Sequence, residues 1–314
     1  MGWVILVLML VAAAGIGLAL WSGSVARKVE GLVPKTGRTT KVTGGEIHWI
    51  ERGHGRPVVM IHGLGGQLHH FTYAVMELLK DEFRCIALDR PGCGYSEREG
   101  DHLAALPEQA RMIAEFLETE GIEKPLIVGH SLGGALALTL ALNHPDRVGG
   151  LALIAPLTHE IPEPPAAFKA LAVRSPFARR LIGHTLAVPM GMRTAKRTLA
   201  MVFAPEPAPA DFVTRGGGAL GMRPRAFVTS SSDFVASAGI AEQARRYDGL
   251  TVPGGVLYGD RDAILDFRAH GEALTTRLPH LKWEVLEGRG HMLPITAPEE
   301  TAAFIRRMEA EIGA

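Results

Sequence analysis

At 314 residues the chain is too long for a minimal domain and too short for several unrelated ones, so one large core carrying an insertion is expected. Apolar residues make up 47% and charged residues 21%, which excludes general disorder, and Lys plus Arg equals Asp plus Glu at 33 each, which removes the basic excess that nucleic-acid binding requires. Only Cys85 and Cys93 are present, outside any C-x-x-C pair, so neither a disulfide scaffold nor a zinc ribbon fits.

Residues 3–21 contain no charged side chain. A helix of that length rises about 28 Å, close to the roughly 30 Å hydrocarbon core of a bilayer. Trp3 and Trp21 stand at its two ends, where interfacial aromatic belts lie. The run is read as a transmembrane anchor which, with its flank, occupies residues 1–26. A cleaved signal peptide is the competing reading. Ser24-Val25-Ala26 offers small residues for cleavage, but no Lys or Arg precedes the run and it exceeds an h-region of about 7–15 residues. Residues 22–41 carry Arg27, Lys28, Lys35, Arg38 and Lys41 against Glu30 alone, a flank that prefers the cytoplasmic side. The expectation is a membrane protein with its catalytic domain in the cytoplasm, the alternative being export after cleavage. Gly2 does not signal myristoylation, because Leu6 stands where Ser or Thr is needed.

Beyond the anchor, compact apolar runs alternate with helical patterns, which predicts a mostly parallel central sheet flanked by helices. Strands are expected at 46–51, 57–62, 84–89, 125–129, 151–155, 252–258 and 282–286, and helices at 67–80, 107–120, 131–143 and 298–312. The rhythm breaks after Pro156. Ten of the twenty prolines lie from Pro156 to Pro224, so this stretch is read as an inserted cap over 156–250, dividing the core into 27–155 and 251–314. Residues 156–225 hold ten Lys or Arg against four Asp or Glu. One reading of that bias is a solvated helical lid. The sharper one is that the basic residues, with Phe168, Leu171, Phe177, Leu181 and Ile182, rest on an anionic lipid surface.

The chemistry begins where the expected strand 125–129 runs into His130-Ser131-Leu132-Gly133-Gly134 and then a helix. Read with Gly129 this is G-x-S-x-G between strand and helix, a turn too sharp for side chains beside the serine, which it lifts above the sheet. A serine hydroxyl is a poor nucleophile unaided, so a base and an acid to orient the base are required. Gly259-Asp260-Arg261-Asp262 follows one expected strand and Glu287-Gly288-Arg289-Gly290-His291 follows the next, so two acids and a histidine lie at strand ends beside Ser131. His62-Gly63-Leu64-Gly65-Gly66 follows another strand and supplies a close-approaching loop, with Leu64 N–H and Leu132 N–H as the expected oxyanion donors. His69 and His70 are adjacent and cannot face one ligand on a helix, so surface or packing roles are expected for them. His130 cannot act as base for its own neighbour and is expected to pack or hydrogen-bond. The sequence calls for no cofactor and no metal.

These motifs, with Asp89-Arg90-Pro91-Gly92-Cys93-Gly94-Tyr95-Ser96 and with Gly290-His291 followed by Ala297-Pro298-Glu299, resemble the α/β-hydrolase superfamily over residues 40–314. The resemblance implies an α/β-hydrolase core with an inserted cap. It also implies a triad of Ser131, Asp262 and His291, Asp262 being favoured over Asp260 by the family spacing. Ser at the nucleophile position limits the likeness to haloalkane dehalogenases and epoxide hydrolases to the scaffold. The anchor and apolar lid resemble membrane-anchored monoacylglycerol lipases, which implies a serine hydrolase acting on a single-chain lipid ester. A carbon–carbon bond hydrolase or a cofactor-free perhydrolase would share every motif. Two other classes fit the sequence less well. A dinucleotide site at Gly63-x-Gly65 with Asp89 lacks its third glycine, which is Leu68, and a catalytically idle ligand-binding protein leaves the intact triad unexplained.

Overall fold

The structure, a computed structural model, describes residues 1–312. Among them are nine strands: β1 (Arg38–Val42), β2 (Gly45–Arg52), β3 (Arg56–Ile61), β4 (Phe83–Leu88), β5 (Glu97–Arg98), β6 (Leu126–His130), β7 (Gly150–Ile154), β8 (Gly254–Gly259) and β9 (Leu281–Leu286). They form one sheet in the order β1-β2-β4-β3-β6-β7-β8-β9, with β5 paired to β2. Strands β1, β2 and β5 make antiparallel contacts; from β4 to β9 the pairing is parallel throughout.

The parallel strands are apolar on both faces because both faces are covered. In β3, Val59 and Ile61 enter one core and Val58 and Met60 the other; in β6 and β7 Ile127, Leu151 and Leu153 oppose Leu126, Val128, Ala152 and Ile154. The first core is closed by the helices Leu106–Thr119 and Leu132–Asn143, the second by Pro298–Ile312 and the short helices around Phe71 and Met76. Burying each such aliphatic side chain contributes about 1.5–3 kcal/mol, so the two half-cores set the stability of the scaffold.

Three expectations change. Arg38–Val42 is a strand although its composition reads as a basic flank; at the sheet edge its exposed side chains need no apolar partner on one face. The expected helix over 67–80 is two short helices, His69–Thr72 and Val75–Leu79, with Ala74 between them at φ −150° and ψ −46°. The apolar N-terminal segment is one unbroken helix, Gly2–Leu32, long and apolar enough to cross a membrane, and it continues beyond the expected limit at residue 26.

Between β7 and β8 the chain forms helices and turns and no strand. Its prolines start helices: Pro176 and Pro224 open Pro176–Thr185 and Pro224–Ala236, where the missing N–H costs nothing. Of the five apolar residues expected to form an outward lipid-facing set, Phe177 and Leu181 are exposed. Phe168 and Leu171 turn inward and line a cavity beneath the inserted segment, and Ile182 is half-buried.

Candidate active site

The turn at the end of β6 is enforced sterically. Ser131 sits at φ +56° and ψ −121°, a conformation that side chains rarely adopt and that costs on the order of 1–3 kcal/mol. A Cβ on Gly129 would lie 2.6 Å from the carbonyl oxygen of Gly133, and one on Gly133 would lie 2.2 Å from that of Ile61. Only glycine lets β6, the turn and β3 approach this closely. Ser131 N–H donates to the carbonyl of Ile154, tying the turn to β7 at 3.1 Å.

Opposite the serine lies the loop after β3. A Cβ on Gly63 would come within 2.9 Å of Ser131 Cβ and 3.3 Å of its Oγ, so this loop passes directly over the hydroxyl. No backbone carbonyl accepts from Leu64 N–H or Leu132 N–H among the described residues, and Leu132 opens a helix, where unpaired N–H groups point outward. Gly63→Ala is expected to lower kcat by about 100-fold or more while KM changes little, because the added Cβ forces the loop to retreat from Ser131; steady-state kinetics on a dissolved ester checks this.

His291 is buried and lines the same cavity as Ser131. Its Nδ1 pairs with Asp262 Oδ2 at 2.7 Å. The other oxygen of that buried carboxylate accepts from Ile264 N–H at 2.8 Å and Leu265 N–H at 2.9 Å, so Asp262 is held by its own loop. Asp260 points elsewhere: its Oδ1 accepts from Gly288 N–H at 2.6 Å, joining the loops after β8 and β9. No hydrogen bond joins Ser131 Oγ to the imidazole in this structure, although both groups border one cavity.

Histidines surround this centre without all serving one role. His130 donates from Nε2 to the carbonyl of His291 at 3.0 Å, which ties the turn after β6 to the loop after β9. Its Nδ1 is buried without a partner, and burial holds its pKa well below the ordinary value. His62 donates from Nδ1 to Gly63 and accepts from Arg90 N–H, and burial lowers its pKa to about 3. His70 is buried against Phe212 and lines the cavity, its pKa lowered to about 4 chiefly by burial. Its cavity position was not readable from the His-His pair.

Both His62 and His70 have folded pKa values below the 6.5 of an unfolded histidine. The unfolded chain therefore takes up their protons first. Stability is full above about pH 6.5 and declines as pH falls toward 4 and then 3. Melting temperature measured from pH 7 to pH 4 is expected to fall, with a shallower fall in His62→Gln; a flat profile in the parent protein would contradict this burial.

The inserted segment reaches the site through a buried charge cluster with no local sequence signal. Asp233, on the helix Pro224–Ala236, accepts from Arg90 Nη1 at 2.8 Å and Arg98 Nη1 at 2.7 Å. Arg90 also donates to Gln109 Oε1 and to the carbonyls of His62 and Gly63. One guanidinium thus fixes the loop over Ser131 and the helix above it.

The cavity at Ser131 has a volume of about 270 Å³ and is mostly apolar, with Leu157, Ile161, Phe168, Val202 and Phe212 in its walls. A second space of about 460 Å³ shares Leu64, Phe168, Leu199, Phe212 and Ala226 with it and extends under the helix Ala187–Phe203. The two adjoin through these shared walls, Ser131 lining the first and not the second, and are together termed the apolar passage. Among the described residues no cluster of His, Cys, Asp and Glu could hold a metal ion.

A strand-turn-helix serine beneath a glycine-rich loop, on a largely parallel sheet with histidine and acid loops at successive strand ends, defines a class. The alpha/beta hydrolase fold family model matches residues 56–298, and the chain belongs to that family of hydrolases. Over 123 residues it is 34% identical to haloalkane dehalogenase 2 of Mycobacterium tuberculosis, covering 39% of this chain and 42% of the dehalogenase. Over 137 residues it is 31% identical to the 2-hydroxy-6-oxo-6-phenylhexa-2,4-dienoate hydrolase of Comamonas testosteroni, covering 40% of this chain and 46% of that one. The chain thus matches less than half the length of these relatives. Among solved structures, a membrane phospholipase A described as a bacterial virulence factor is similar at TM-score 0.67 and 25% identity, covering 99% of each chain. An esterase from Thermogutta terrifontis is similar at TM-score 0.66 and 24% identity, covering 88% of this chain and all of that one.

Proposed function

We propose that the chain is a membrane-anchored serine hydrolase that cleaves a carboxylic ester of a single-chain lipid, such as a monoacylglycerol, through an acyl-enzyme. The observation that carries this reading is the Asp262–His291 pair at 2.7 Å on the cavity that Ser131 enters beneath Gly63. Ser131 Oγ attacks the ester carbonyl as His291 Nε2 takes its proton, and Asp262 stabilises the imidazolium through Nδ1. Leu64 N–H and Leu132 N–H receive the charge that develops on the carbonyl oxygen. Collapse expels the alcohol, protonated by His291, and a water activated by the same imidazole then releases the acid. The inserted segment acts as the cap, and its apolar passage accepts the acyl chain.

Likeness to the membrane phospholipase A over nearly the whole chain, N-terminal helix included, supports the lipid substrate and the anchor. Likeness to the dienoate hydrolase of Comamonas keeps carbon–carbon bond cleavage as the second reading. Two measurements decide. A fluorophosphonate probe is expected to label the protein at Ser131, and labelling that persists in Ser131→Ala would refute the nucleophile. In an ester panel of increasing acyl length, kcat/KM is expected to rise with chain length; no ester hydrolysis, with cleavage of a dienoate, would favour the second reading. The basic flank supports a catalytic body on the cytoplasmic side, and protease digestion confined to the outer face of sealed membranes would reverse that reading.

A further inference from the structure

The N-terminal helix does not stop where its membrane-length apolar run stops. From Leu18 onward one side is covered at intervals of three and four residues: Leu18 and Val25 in part, Ser22, Val29 and, just past the helix, Val33 almost completely. The covering elements are the helix Pro176–Thr185 and the turn Gly218–Met222, where Ala219 and Leu220 join Val29 and Val33 in one apolar cluster. Polar ties lock the junction. Buried Arg223 pairs with Glu30 at 3.3 Å, donates to the carbonyl of Gly94 and stacks 5.0 Å from the ring of Tyr95, whose hydroxyl donates to the carbonyl of Val33.

No flexible spacer therefore separates the apolar run from the catalytic body. Trp21 ends the run and Ser22 is already inside the body, a rise of about 1.5 Å along the helix. If residues 3–21 span a bilayer, the covering helix must lie at its surface. The surface there is suited to it. Phe177 and Leu181, one turn apart on that helix, are 78% and 55% exposed, and Leu186 and Met190 continue the ridge at 48% and 59%. Arg174, Arg193 and Arg197, neighbours of these residues along the chain, are exposed, as is Arg180, which also pairs with Asp101 at 3.4 Å; this is charge that anionic headgroups attract. The same region walls the apolar passage: Gly191 and Met192 line it together with Ala219 and Met222, which lie on the turn that packs against the N-terminal helix.

We propose that the N-terminal helix is a rigid strut and not a tether: it seats the ridge of Phe177, Leu181, Leu186 and Met190 in one leaflet, and the passage beneath takes an acyl chain directly from that leaflet. The occupant of the ridge is the lipid bilayer, because the ridge is continuous with a helix of membrane-spanning length. This deepens the reading of the chain as a lipid esterase and rests on it.

The test uses the full chain in phosphatidylcholine vesicles containing phosphatidylglycerol, with two substrates: a dissolved short-chain ester and a monoacylglycerol embedded in the bilayer. Phe177 and Leu181 lie outside the catalytic cavity. The double variant Phe177→Glu, Leu181→Glu is expected to hydrolyse the dissolved ester within about twofold of the parent and the embedded ester about tenfold or more slowly. An unchanged rate on the embedded ester, or an equal fall on both substrates, would overturn the strut. Failure of the parent protein to hydrolyse the dissolved ester would instead sink the esterase reading itself. As a direct measure, a nitroxide on Leu181→Cys is expected to be more accessible to oxygen than to a water-soluble nickel chelate. Greater access to the chelate, or exclusion of both by a protein partner, would overturn the proposal. Cys85 and Cys93 are buried and do not compete for the label.

Discussion

Replacement of Ser131 by Ala is expected to lower kcat by about 10⁵-fold or more, and His291→Ala by a similar factor, because the proposed triad of Ser131, His291 and Asp262 would act as a unit. The more discriminating experiment compares the two neighbouring acids. In Asp262 one oxygen is occupied by the N–H groups of Ile264 and Leu265, and the other faces His291 Nδ1. An Asn in its place must keep its carbonyl on those two donors, which turns its NH₂ toward the ring. Nδ1 then becomes the acceptor and Nε2 carries the proton, the tautomer that cannot deprotonate Ser131. A loss of about 10⁴-fold in kcat is expected for Asp262→Asn, with the fold intact by circular dichroism. Asp260 needs only an oxygen for Gly288 N–H, which an amide also offers, so Asp260→Asn is expected to stay within about threefold of the parent. Full activity in Asp262→Asn, or a collapse in Asp260→Asn, would exchange the two assignments.

What the sequence made legible was the part that chemistry and sterics hold in short motifs. The strand, turn and glycines around Ser131 are local, and so is the order of the loops after β8 and β9; each occupies fewer than ten residues and allows few substitutes. The buried parallel strands were readable because two covered faces demand uninterrupted apolar runs, and their ends shifted by no more than a residue or two. The features that were not readable depend on partners distant along the chain. Arg38–Val42 is a strand because β2 pairs with it, against its charged composition. Residues 27–32 remain helical because Val29 finds Ala219 and Leu220, and Glu30 finds Arg223. His70 becomes a cavity residue only once Phe212 folds over it. An apolar residue in a helical pattern gives no sign of which way it will turn, which is why Phe168 and Phe177, similar in sequence context, end inside and outside the same segment.

Asp233 shows the energetic side of such distant pairing. Its carboxylate is fully buried between Arg90 and Arg98, which are 0% and 5% exposed. Replacing a buried ion pair by a matched apolar set is often neutral, but removing one partner leaves the other charge stranded. Here one deletion strands two guanidinium groups. Asp233→Ala is expected to destabilise the protein by about 3–5 kcal/mol, measured by denaturant unfolding. The effect should reach the chemistry as well, because Arg90 also holds the carbonyls of His62 and Gly63 and so fixes the loop that bears Leu64 N–H. At a temperature where Asp233→Ala remains folded, kcat on a dissolved ester is expected to fall by about tenfold or more with KM nearly constant, the signature of a weakened oxyanion site. Asp233→Asn keeps one acceptor, its Oδ1, for one of the arginines and should restore part of the stability, while its NH₂, a donor, leaves the other guanidinium without an acceptor. A variant that loses stability but keeps kcat would mean that the cluster only clamps the inserted helix to the core. Loss of both would mean that the segment above the cavity and the loop beneath it are set by one guanidinium, so that movement of the helix Pro224–Ala236 is felt at the reacting carbonyl.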